Sequence, residues 1–263
     1  MKSFTRYLRI AAAAAKLAGD FLRDSYGPIK EMHRKSGTHH GIEDDKRCAE
    51  IYTEYLENET PEVARYMEDG DQNLDSALVW VVDPIDGTSN YRVGIPLFVT
   101  QICLLYRGEP VISVIRAPMF DQVFSARKNH GAYLNGTKIS VSKTARMDKA
   151  MLGVNKGSSN RDTGRYITRL GPLVRTIRIY GAMGLDLAYL ACGRLDALIN
   201  SGSQLYDYVP GVLLVREAGG IAANFTGARW TCADRTLAAA NKSLLAPILS
   251  ELGGGPRHAR KTA

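Results

Sequence analysis

The sequence is poor in several features that would narrow its class. Its 263 residues include four cysteines, Cys48, Cys103, Cys192 and Cys232, which stand far apart and form neither a CxxC zinc pattern nor a disulfide framework. No apolar run approaches the roughly 18 residues that a membrane helix needs. The first apolar stretch ends at Lys16 and predicts an amphipathic helix rather than a signal peptide. We therefore expect a cytoplasmic protein with reduced thiols and no membrane segment.

Acidic residues are absent from the C-terminal end, where basic ones gather. The net charge is +7, and Arg257, Arg260 and Lys261 contribute +3 of it, so the rest of the chain carries +4. A glycine-rich basic end is more often an unstructured tail than a binding device. We treat residues 253–263 as a flexible basic tail, and the charge does not argue for a nucleic-acid partner.

Hydrophobic periodicity divides the remaining chain into two halves. Within residues 1–149, two amphipathic helical stretches flank a polar segment, predicted to be a mobile loop or a short ribbon, and precede several apolar strands. Asn135-Gly136 joins two of those strands and is a strong hairpin signal. Within residues 150–252, short strands alternate with helices, notably 184–193 and 207–218, which is typical of α/β layering. No linker separates the halves, so we expect them to be tightly joined.

The most informative stretch is LVWVVDPIDGTSNY, residues 78–91. An apolar strand runs into Asp83 and Asp86, and Gly87 permits a positive φ or the close approach of a ligand. Thr88–Asn90 are residue types that cap a helix, whose free N–H groups suit a phosphate oxygen. The aspartates suit a hard cation such as Mg²⁺. The alternative is a simple Asx turn with solvated aspartates.

Two other acidic positions are compatible with this site. Glu68 and Asp69 precede a glycine in a loop shortly before the strand, and Asp207 opens an apolar helix that ends at Gly219-Gly220. Asp207 could equally be a plain N-cap. The three-residue spacing of the first two aspartates does not fit the Asp-x-Asp-x-Thr pattern of phosphatases that form an aspartyl-phosphate.

At this point the sequence resembles a known family. WVVDPIDGTSNY resembles the first signature of the inositol monophosphatase family of Mg²⁺-dependent, lithium-sensitive sugar phosphatases, and YDYVPGVLLVREAGG is similar to its second signature. GAYLNGTKISVS and GLDLAYLACGRLDALI also match, so the resemblance covers nearly the whole chain. It implies a layered α+β or α/β fold, namely the αβαβα sandwich of the inositol monophosphatase and fructose-1,6-bisphosphatase type, and a homodimer.

The resemblance also implies the metal ligands. Glu68, Asp83 and the carbonyl of Ile85 would hold the Mg²⁺ that activates water. Asp83, Asp86 and Asp207 would hold a second Mg²⁺ at the leaving-group oxygen, which is the usual two-metal arrangement for phosphoryl transfer to water.

Three more roles follow from the same resemblance. Asp45 and Thr88 would act with Glu68 in catalysis, because they would orient and deprotonate the attacking water. The backbone N–H groups of Gly87 and Thr88 would receive the phosphate. The expected partner is therefore a small phosphorylated substrate.

Several positions depart from the family pattern. The run GIEDD lacks the usual threonine, so either Asp44 or Asp45 could orient the water. Asn200 stands where inositol phosphatases carry a substrate-binding glutamate, seven residues before the last metal aspartate. The neutral run 201–204 disfavours a second phosphate on the substrate. Inositol 1-phosphate therefore leads the candidates, with histidinol phosphate, fructose 1,6-bisphosphate, 3′-phosphoadenosine 5′-phosphate and a role as an RNA- or transcription-complex-binding relative as alternatives.

Overall fold

The computed structural model describes residues 4–27, 33–34, 40–41, 43–68, 70, 72–157 and 160–253. Asp69 and residues 254–263 of the predicted tail lie outside these ranges. The helices are α1 (Thr5–Ser25), α2 (Glu43–Glu59), α3 (Thr88–Arg92), α4 (Asn160–Leu170), α5 (Met183–Ala191), α6 (Leu205–Glu217) and α7 (Leu245–Leu252). The strands are β1 (His33–Arg34), β2 (His40–Gly41), β3 (Ala64–Met67), β4 (Leu78–Asp86), β5 (Val99–Tyr106), β6 (Glu109–Ala117), β7 (Gln122–Arg127), β8 (Ala132–Leu134), β9 (Thr137–Ile139), β10 (Met151–Asn155), β11 (Thr176–Arg178), β12 (Ala197–Asn200), β13 (Ile221–Ala223) and β14 (Leu237–Ala240).

The first half of the chain forms a seven-stranded sheet in the order β3-β4-β5-β6-β7-β8-β9. Only β3 and β4 run parallel, and the remaining neighbours are antiparallel. The predicted hairpin at Asn135-Gly136 is confirmed: the two residues have φ of 48° and 78° and join β8 to β9. Two-residue turns with positive φ match the twist of the strands that they connect.

The second half forms a five-stranded sheet in the order β11-β10-β12-β14-β13. Strand β10 is parallel to both of its neighbours, whereas β14 is antiparallel to β12 and β13. Helices α5 and α6 lie close to the predicted helical stretches 184–193 and 207–218, so the predicted alternation of strands and helices is confirmed. The division at residue 149 falls between the two sheets.

Three hydrophobic clusters stack the elements into five layers. Trp80 and Val82 of β4 point to one face, where they pack with α1 and α2, while Val79 and Val81 point to the other, where they pack with α5 and α6. The five-stranded sheet covers the far side of α5 and α6, and α4 and α7 cover its outer face. The predicted αβαβα sandwich is confirmed, and its central core spans both halves.

The N-terminal third agrees with the pattern of its sequence. Ala11, Ala14 and Ala18 of α1 are buried, as expected for an amphipathic helix. The polar segment after α1 contains the antiparallel pair β1 and β2, so the short-ribbon interpretation is confirmed. Across the described part of the chain, none of the helices combines the length and the apolar character required to traverse a membrane.

Gly164 offers a test of the helical layer. It lies within α4, it is exposed, and a Cβ atom added there would meet nothing within 4 Å. Because alanine is favoured over glycine in a helix by about 0.8–1 kcal/mol, Gly164→Ala should raise the melting temperature by a few degrees. Thermal unfolding monitored by circular dichroism measures the change.

Gly211 provides the matched control for this prediction. It also lies within a helix, α6, but a Cβ atom there would overlap the side chain of Leu187 in α5. Gly211→Ala should therefore lower stability by about 1–3 kcal/mol, as overpacking of a core does. Destabilisation by both substitutions to the same extent would contradict the placement of α4 at the surface.

Candidate metal centre

A bulge at the end of β4 brings Asp83 and Asp86 to the same side of the sheet. Residues three apart on a regular strand point to opposite faces. Here Asp83 pairs with Gln101 and Asp86 pairs with Val99, so a step of three residues on β4 opposes a step of two on β5. The extra residue reverses the alternation. Pro84 stands within the bulge, where its missing N–H removes no ladder hydrogen bond.

Asp207 joins these two carboxylates from a distant part of the chain. It is the third residue of α6, and its Oδ2 accepts a hydrogen bond from the backbone N–H of Gln204 at 2.7 Å. Gln204 is the N-cap and completes a capping box with Asp207, so the alternative of Asp207 as the N-cap is wrong. One carboxylate oxygen from each of Asp83, Asp86 and Asp207 lies within 4.8 Å of the other two. We call these three residues the carboxylate cluster.

Asp86 is held by the start of helix α5. Its Oδ1 accepts from the N–H of Met183 at 2.8 Å, and its Oδ2 accepts from the N–H of Gly184 at 2.6 Å. The first N–H groups of a helix lack partners within the helix and carry a partial positive charge, so they favour a carboxylate. Each oxygen keeps a further lone pair for another partner.

Burial gives the carboxylate cluster unusual proton affinities. Loss of solvent raises the pKa of Asp86 to about 7 and that of Asp207 to about 7. The pKa of Asp83 is raised well above its ordinary value by burial and by the charges of Asp86, Glu68 and Asp207. The raised pKa values reflect the unfavourable free energy of three negative charges at one place. A bound cation would favour the ionised carboxylates instead.

The carboxylate cluster also has the chemistry of a hard-cation site. Asp83 is 1% exposed, and its Oδ1 has no hydrogen-bond partner among the residues that the structure describes. A buried carboxylate oxygen left unpaired is costly, and oxygen ligands of this kind are those that Mg²⁺ and Ca²⁺ prefer. The residues present therefore fit a divalent cation.

Glu68 lies near the carboxylate cluster without belonging to it. It follows β3, is half-buried, and is not one of the three carboxylates that approach within 4.8 Å. Its charge contributes to the raised pKa of Asp83 and, after burial, to the raised pKa of Tyr206. Glu68 thus follows the carboxyl end of β3, which lies beside the carboxyl end of its parallel neighbour β4, where Asp83 stands.

Asp45 lies next to the turn that follows β4. It is 1% exposed, and its Oδ1 lies 3.4 Å from the Thr88 hydroxyl, which donates to the carbonyl of Ile85 at 2.8 Å. Asp44 instead accepts a hydrogen bond from the Tyr91 hydroxyl at 2.9 Å. Of the two acids that the sequence left open, Asp45 is therefore the one beside Thr88.

The helix after the acidic turn differs from the prediction. Thr88–Asn90 were predicted as capping residues, but α3 begins at Thr88, and Gly87 is its N-cap, with a φ of 90° and no capping side chain. A Cβ atom on Gly87 would lie 2.9 Å from the Cβ of Ala182. The turn therefore needs glycine for two reasons: its backbone has a positive φ, and Ala182 leaves no room for a side chain. The first N–H groups of α3 have no partner within the helix. The helix has only five residues.

Asn200 is buried at the end of β12, where 1% of it is exposed. Its Oδ1 accepts from the N–H of Gly202 at 2.7 Å and from the Tyr208 hydroxyl. Its Nδ2 is without a hydrogen-bond partner in the described part of the chain. The oxygen is therefore engaged within the protein, and the NH₂ group is buried without a partner among the described residues.

A cation also lies near this position, although the run 201–204 contains none. The Nη1 atom of Arg235 donates to Gln204 Oε1 at 2.8 Å, and the Tyr208 hydroxyl lies 2.7 Å from the Arg235 carbonyl. Arg235 belongs to the loop before β14. Its contact with Gln204 could therefore not be predicted from the sequence of residues 201–204. With Arg235 beside Gln204, the neutrality of residues 201–204 no longer disfavours a second anionic group on the substrate.

Three buried polar residues of this region escaped the sequence analysis. Asp186 of α5 accepts from Asn155 Nδ2 at 2.7 Å, and burial raises its pKa to about 7. Gln101 of β5 donates to Asp83 Oδ2 at 3.3 Å. The signal for Gln101 was present, because a glutamine interrupts the apolar strand VTQICLLY.

Known proteins resemble this chain over most of its length. The model of the inositol monophosphatase family matches residues 4–253. The chain is 34% identical to "Nus factor SuhB" of Xylella fastidiosa over 84% of this chain and 82% of that protein. It is 32% identical to "Inositol monophosphatase 1" of Solanum lycopersicum over 92% and 93% of the two chains.

Solved structures give the same picture. The extragenic suppressor protein SuhB of Bartonella henselae superposes with a TM-score of 0.89 at 28% identity, over 95% of this chain and 99% of that one. An IMPase of Thermotoga maritima also superposes with a TM-score of 0.89, at 25% identity, over 94% and 96% of the two chains.

The raised pKa values predict how pH and Mg²⁺ act on stability. Between about pH 4 and pH 7 the unfolded chain ionises its aspartates while the folded chain keeps protons on Asp86 and Asp207, so the metal-free protein should lose stability as pH rises. Above about pH 7 the loss should level off. Because a cation binds the ionised form, Mg²⁺ should raise the melting temperature more at about pH 8 than at about pH 5.

Thermal unfolding with and without Mg²⁺ across this pH range provides the measurement. Asp148→Asn is the matched control. Asp148 is exposed, pairs with Arg146 two residues away and is not a member of the carboxylate cluster, so its substitution should leave the effect of Mg²⁺ unchanged. An equal Mg²⁺ effect at both ends of the range would contradict a cation at the carboxylate cluster.

Proposed function

Because the chain belongs to the inositol monophosphatase family, we propose that it is a Mg²⁺-dependent phosphomonoesterase acting on a small sugar or polyol phosphate. The observation that carries the proposal is the carboxylate cluster, whose oxygens lie within 4.8 Å of one another. Two buried carboxylates and one half-buried carboxylate at this distance are compatible with ionisation only when a cation offsets their charge. A phosphatase provides a reason to keep such a costly arrangement.

Mg²⁺ would be held by residues from both halves of the chain. Asp83, Asp86 and Asp207 would bind one ion, and Glu68, Asp83 and the carbonyl of Ile85 would bind another. When bound, Mg²⁺ supplies positive charge that stabilises the attacking and leaving oxygens of in-line phosphoryl transfer. Residues 1–149 would thus contribute most ligands, and residues 150–252 would contribute the last aspartate.

The protein's own groups would prepare the substrate and the water. The carboxylate of Asp45, with the Thr88 hydroxyl 3.4 Å away, would orient the attacking water and accept its proton. The N–H groups of Gly87 and Thr88 would bind phosphate oxygens at the start of α3. This scheme uses water as the nucleophile and forms no covalent intermediate with the protein.

Inositol 1-phosphate leads the candidate substrates because relatives such as those of Solanum lycopersicum carry the name inositol monophosphatase. The same kinship supports three further proposals, namely a homodimer, a cytoplasmic location and inhibition by lithium. Histidinol phosphate, fructose 1,6-bisphosphate and 3′-phosphoadenosine 5′-phosphate stay alternatives, since Asn200 replaces the glutamate of the resembled inositol phosphatases.

A second candidate function is binding to RNA or to a transcription complex. Other relatives carry the name Nus factor SuhB, and residues 143–178 hold nine lysines and arginines against two aspartates. Arg165, Arg169 and Arg175 of this segment are exposed. A basic surface of this kind favours anionic partners in general. The carboxylate cluster, for which a binding protein has no use, makes hydrolysis the stronger candidate.

Asp83→Asn should abolish hydrolysis while leaving the fold intact. Asp83 would contact both ions, so losing its charge removes a ligand from each. An asparagine can still accept the hydrogen bond that Gln101 donates to Asp83, so the side chain keeps its place. Turnover of inositol 1-phosphate at saturating Mg²⁺, together with the far-ultraviolet circular dichroism spectrum, provides the measurement.

Residual activity above a few per cent in a folded Asp83→Asn variant would contradict the two-metal proposal. The variant also separates the two candidate functions, because a binding role that does not depend on catalysis would survive the substitution. Asp148→Asn again serves as the control and should hydrolyse the substrate at the wild-type rate.

Asn200 should shift the specificity rather than the chemistry. Its NH₂ group can donate to a substrate but cannot accept, whereas charge-assisted bonds from sugar hydroxyls to a carboxylate are about twice as strong as neutral ones. We expect inositol 1-phosphate to be hydrolysed without strong preference over glycerol 2-phosphate, histidinol phosphate and fructose 1,6-bisphosphate. Asn200→Asp, which changes only this NH₂ group, and Asn200→Glu should both favour the polyol.

Comparison of kcat/KM across these four esters provides the measurement. A wild-type preference for inositol 1-phosphate of a hundredfold, about 2.7 kcal/mol of differential transition-state binding, would contradict a role for Asn200 in specificity. The proposal for the carboxylate cluster would then still stand.

A further inference from the structure

Gln101 is a buried polar side chain that the proposed reaction does not use. It is 0% exposed and lies on the face of β5 that also carries Val99, Cys103 and Leu105 of the central core. Burying an amide among apolar side chains costs free energy unless its groups find partners. Its position in the core therefore needs a reason.

The Gln101 side chain contacts two members of the carboxylate cluster, Asp83 and Asp207. The Nε2 atom lies 3.3 Å from Asp83 Oδ2 and 3.4 Å from the backbone carbonyl oxygen of Asp207. Both neighbours are acceptors, which fixes the orientation of the amide, with its NH₂ group toward them and its Oε1 on the opposite side. One side chain thus contacts strand β4 and helix α6, which lie more than a hundred residues apart at these positions.

Gly184 provides the space for the other end of this amide. A Cβ atom on Gly184 would overlap Gln101 Oε1 and lie 2.8 Å from Gln101 Cδ. Gly184 lies in the first turn of α5 without a positive φ, so its backbone does not require glycine. Alanine would be favoured there by helix propensity, and contact with Gln101 is the reason against it.

The N–H of Gly184 donates to Asp86 at 2.6 Å. The pair of Gln101 and Gly184 therefore contacts all three members of the carboxylate cluster: Asp83 through its side chain, Asp207 through its backbone and Asp86 through the helix start. Two weak, long hydrogen bonds contribute little to stability by themselves. Their value lies in the geometry that they hold.

We propose that Gln101 and Gly184 form a positioning pair that sets the spacing of Asp83, Asp86 and Asp207 for cation binding. The proposal rests on the proposed function only in that the carboxylate cluster binds a divalent cation. Gln101 touches neither substrate nor cation in this role, and acts through the carboxylates that it orients. The glycine at position 184 is the counterpart of the large side chain at position 101.

The test compares four variants by calorimetric titration with Mg²⁺ and by turnover. Gln101→Met keeps the length of the side chain but loses the amide hydrogen bonds, and should weaken Mg²⁺ affinity by about tenfold, as loss of an outer-sphere partner does. Gly184→Ala should weaken it similarly, because the new methyl group displaces the amide. Gln101→Ser opens the space, so the double variant Gln101→Ser with Gly184→Ala should bind Mg²⁺ more tightly than Gly184→Ala alone.

Two controls distinguish positioning from general packing. Ser113 is buried on β6 and donates to the Pro210 carbonyl of α6 at 2.7 Å, so Ser113→Ala breaks another bond between the sheet and that helix. It should lower the melting temperature without changing Mg²⁺ affinity. Gly164→Ala, a helical glycine with free space around it, should change neither Mg²⁺ affinity nor turnover.

The outcomes separate this proposal from the proposed function. Unchanged Mg²⁺ affinity in Gln101→Met, or a double variant whose loss equals the sum of the two single losses, would overturn the positioning pair and leave the phosphatase proposal intact. A wild-type protein that binds no Mg²⁺ would overturn the proposed function as well. A loss in Gly184→Ala that Gln101→Ser relieves would support the pair.

Discussion

The repulsion among three closely spaced carboxylates, two buried and one half-buried, is the constraint on which the rest of the site depends. Their oxygens lie within 4.8 Å of one another, and two unit charges at that distance repel by on the order of 3 kcal/mol even at an effective dielectric constant of about 20. Burial adds a desolvation cost that raises all three pKa values. The fold must hold the carboxylates together against both effects until a cation balances them.

Each carboxylate is restrained by a different device. Asp86 accepts two N–H groups at the start of α5, and Asp207 is fixed by the capping box of α6. Asp83 is held within the sheet, where it pairs with Gln101, and the bulge at Pro84 turns it toward Asp86. These restraints come from two adjacent layers of the sandwich, the seven-stranded sheet and the layer of α5 and α6. The packing of α5 and α6 against the seven-stranded sheet is therefore a requirement of the site as well as of the core.

The same packing explains why some glycines lie where alanine would favour a helix. Gly184 leaves room for Gln101, and Gly211 lets α6 approach Leu187 of α5. Close approach of the two helices brings Asp207 to the end of β4, on the opposite side of Gln101 from Gly184. Small residues in these helices therefore serve the geometry of the charged residues, and their cost in helix propensity is about 1 kcal/mol each.

Local patterns determined much of this protein. The apolar run of β4, the hairpin at Asn135-Gly136 and the spacing of strands and helices after residue 150 are properties of neighbouring residues, so these patterns predicted the elements and the α/β layering of the second half. The five-layer sandwich was implied by the resemblance to the family. The acidic turn after β4 could also be predicted from the sequence, because Asp83 and Asp86 interrupt an apolar strand. Even Asp207 could be proposed, since its signature is a contiguous run.

Only the tertiary structure decided what depends on residues far apart in the chain. The choice of Asp45 over Asp44 follows from the rotation of α2 against α3, and the approach of Arg235 to Gln204 follows from the loop before β14. The burial of Asn200 and the pairing of Gln101 with Gly184 likewise require several layers to be in place. Side-chain packing between distant segments sets these contacts, and no local pattern of residues encodes it.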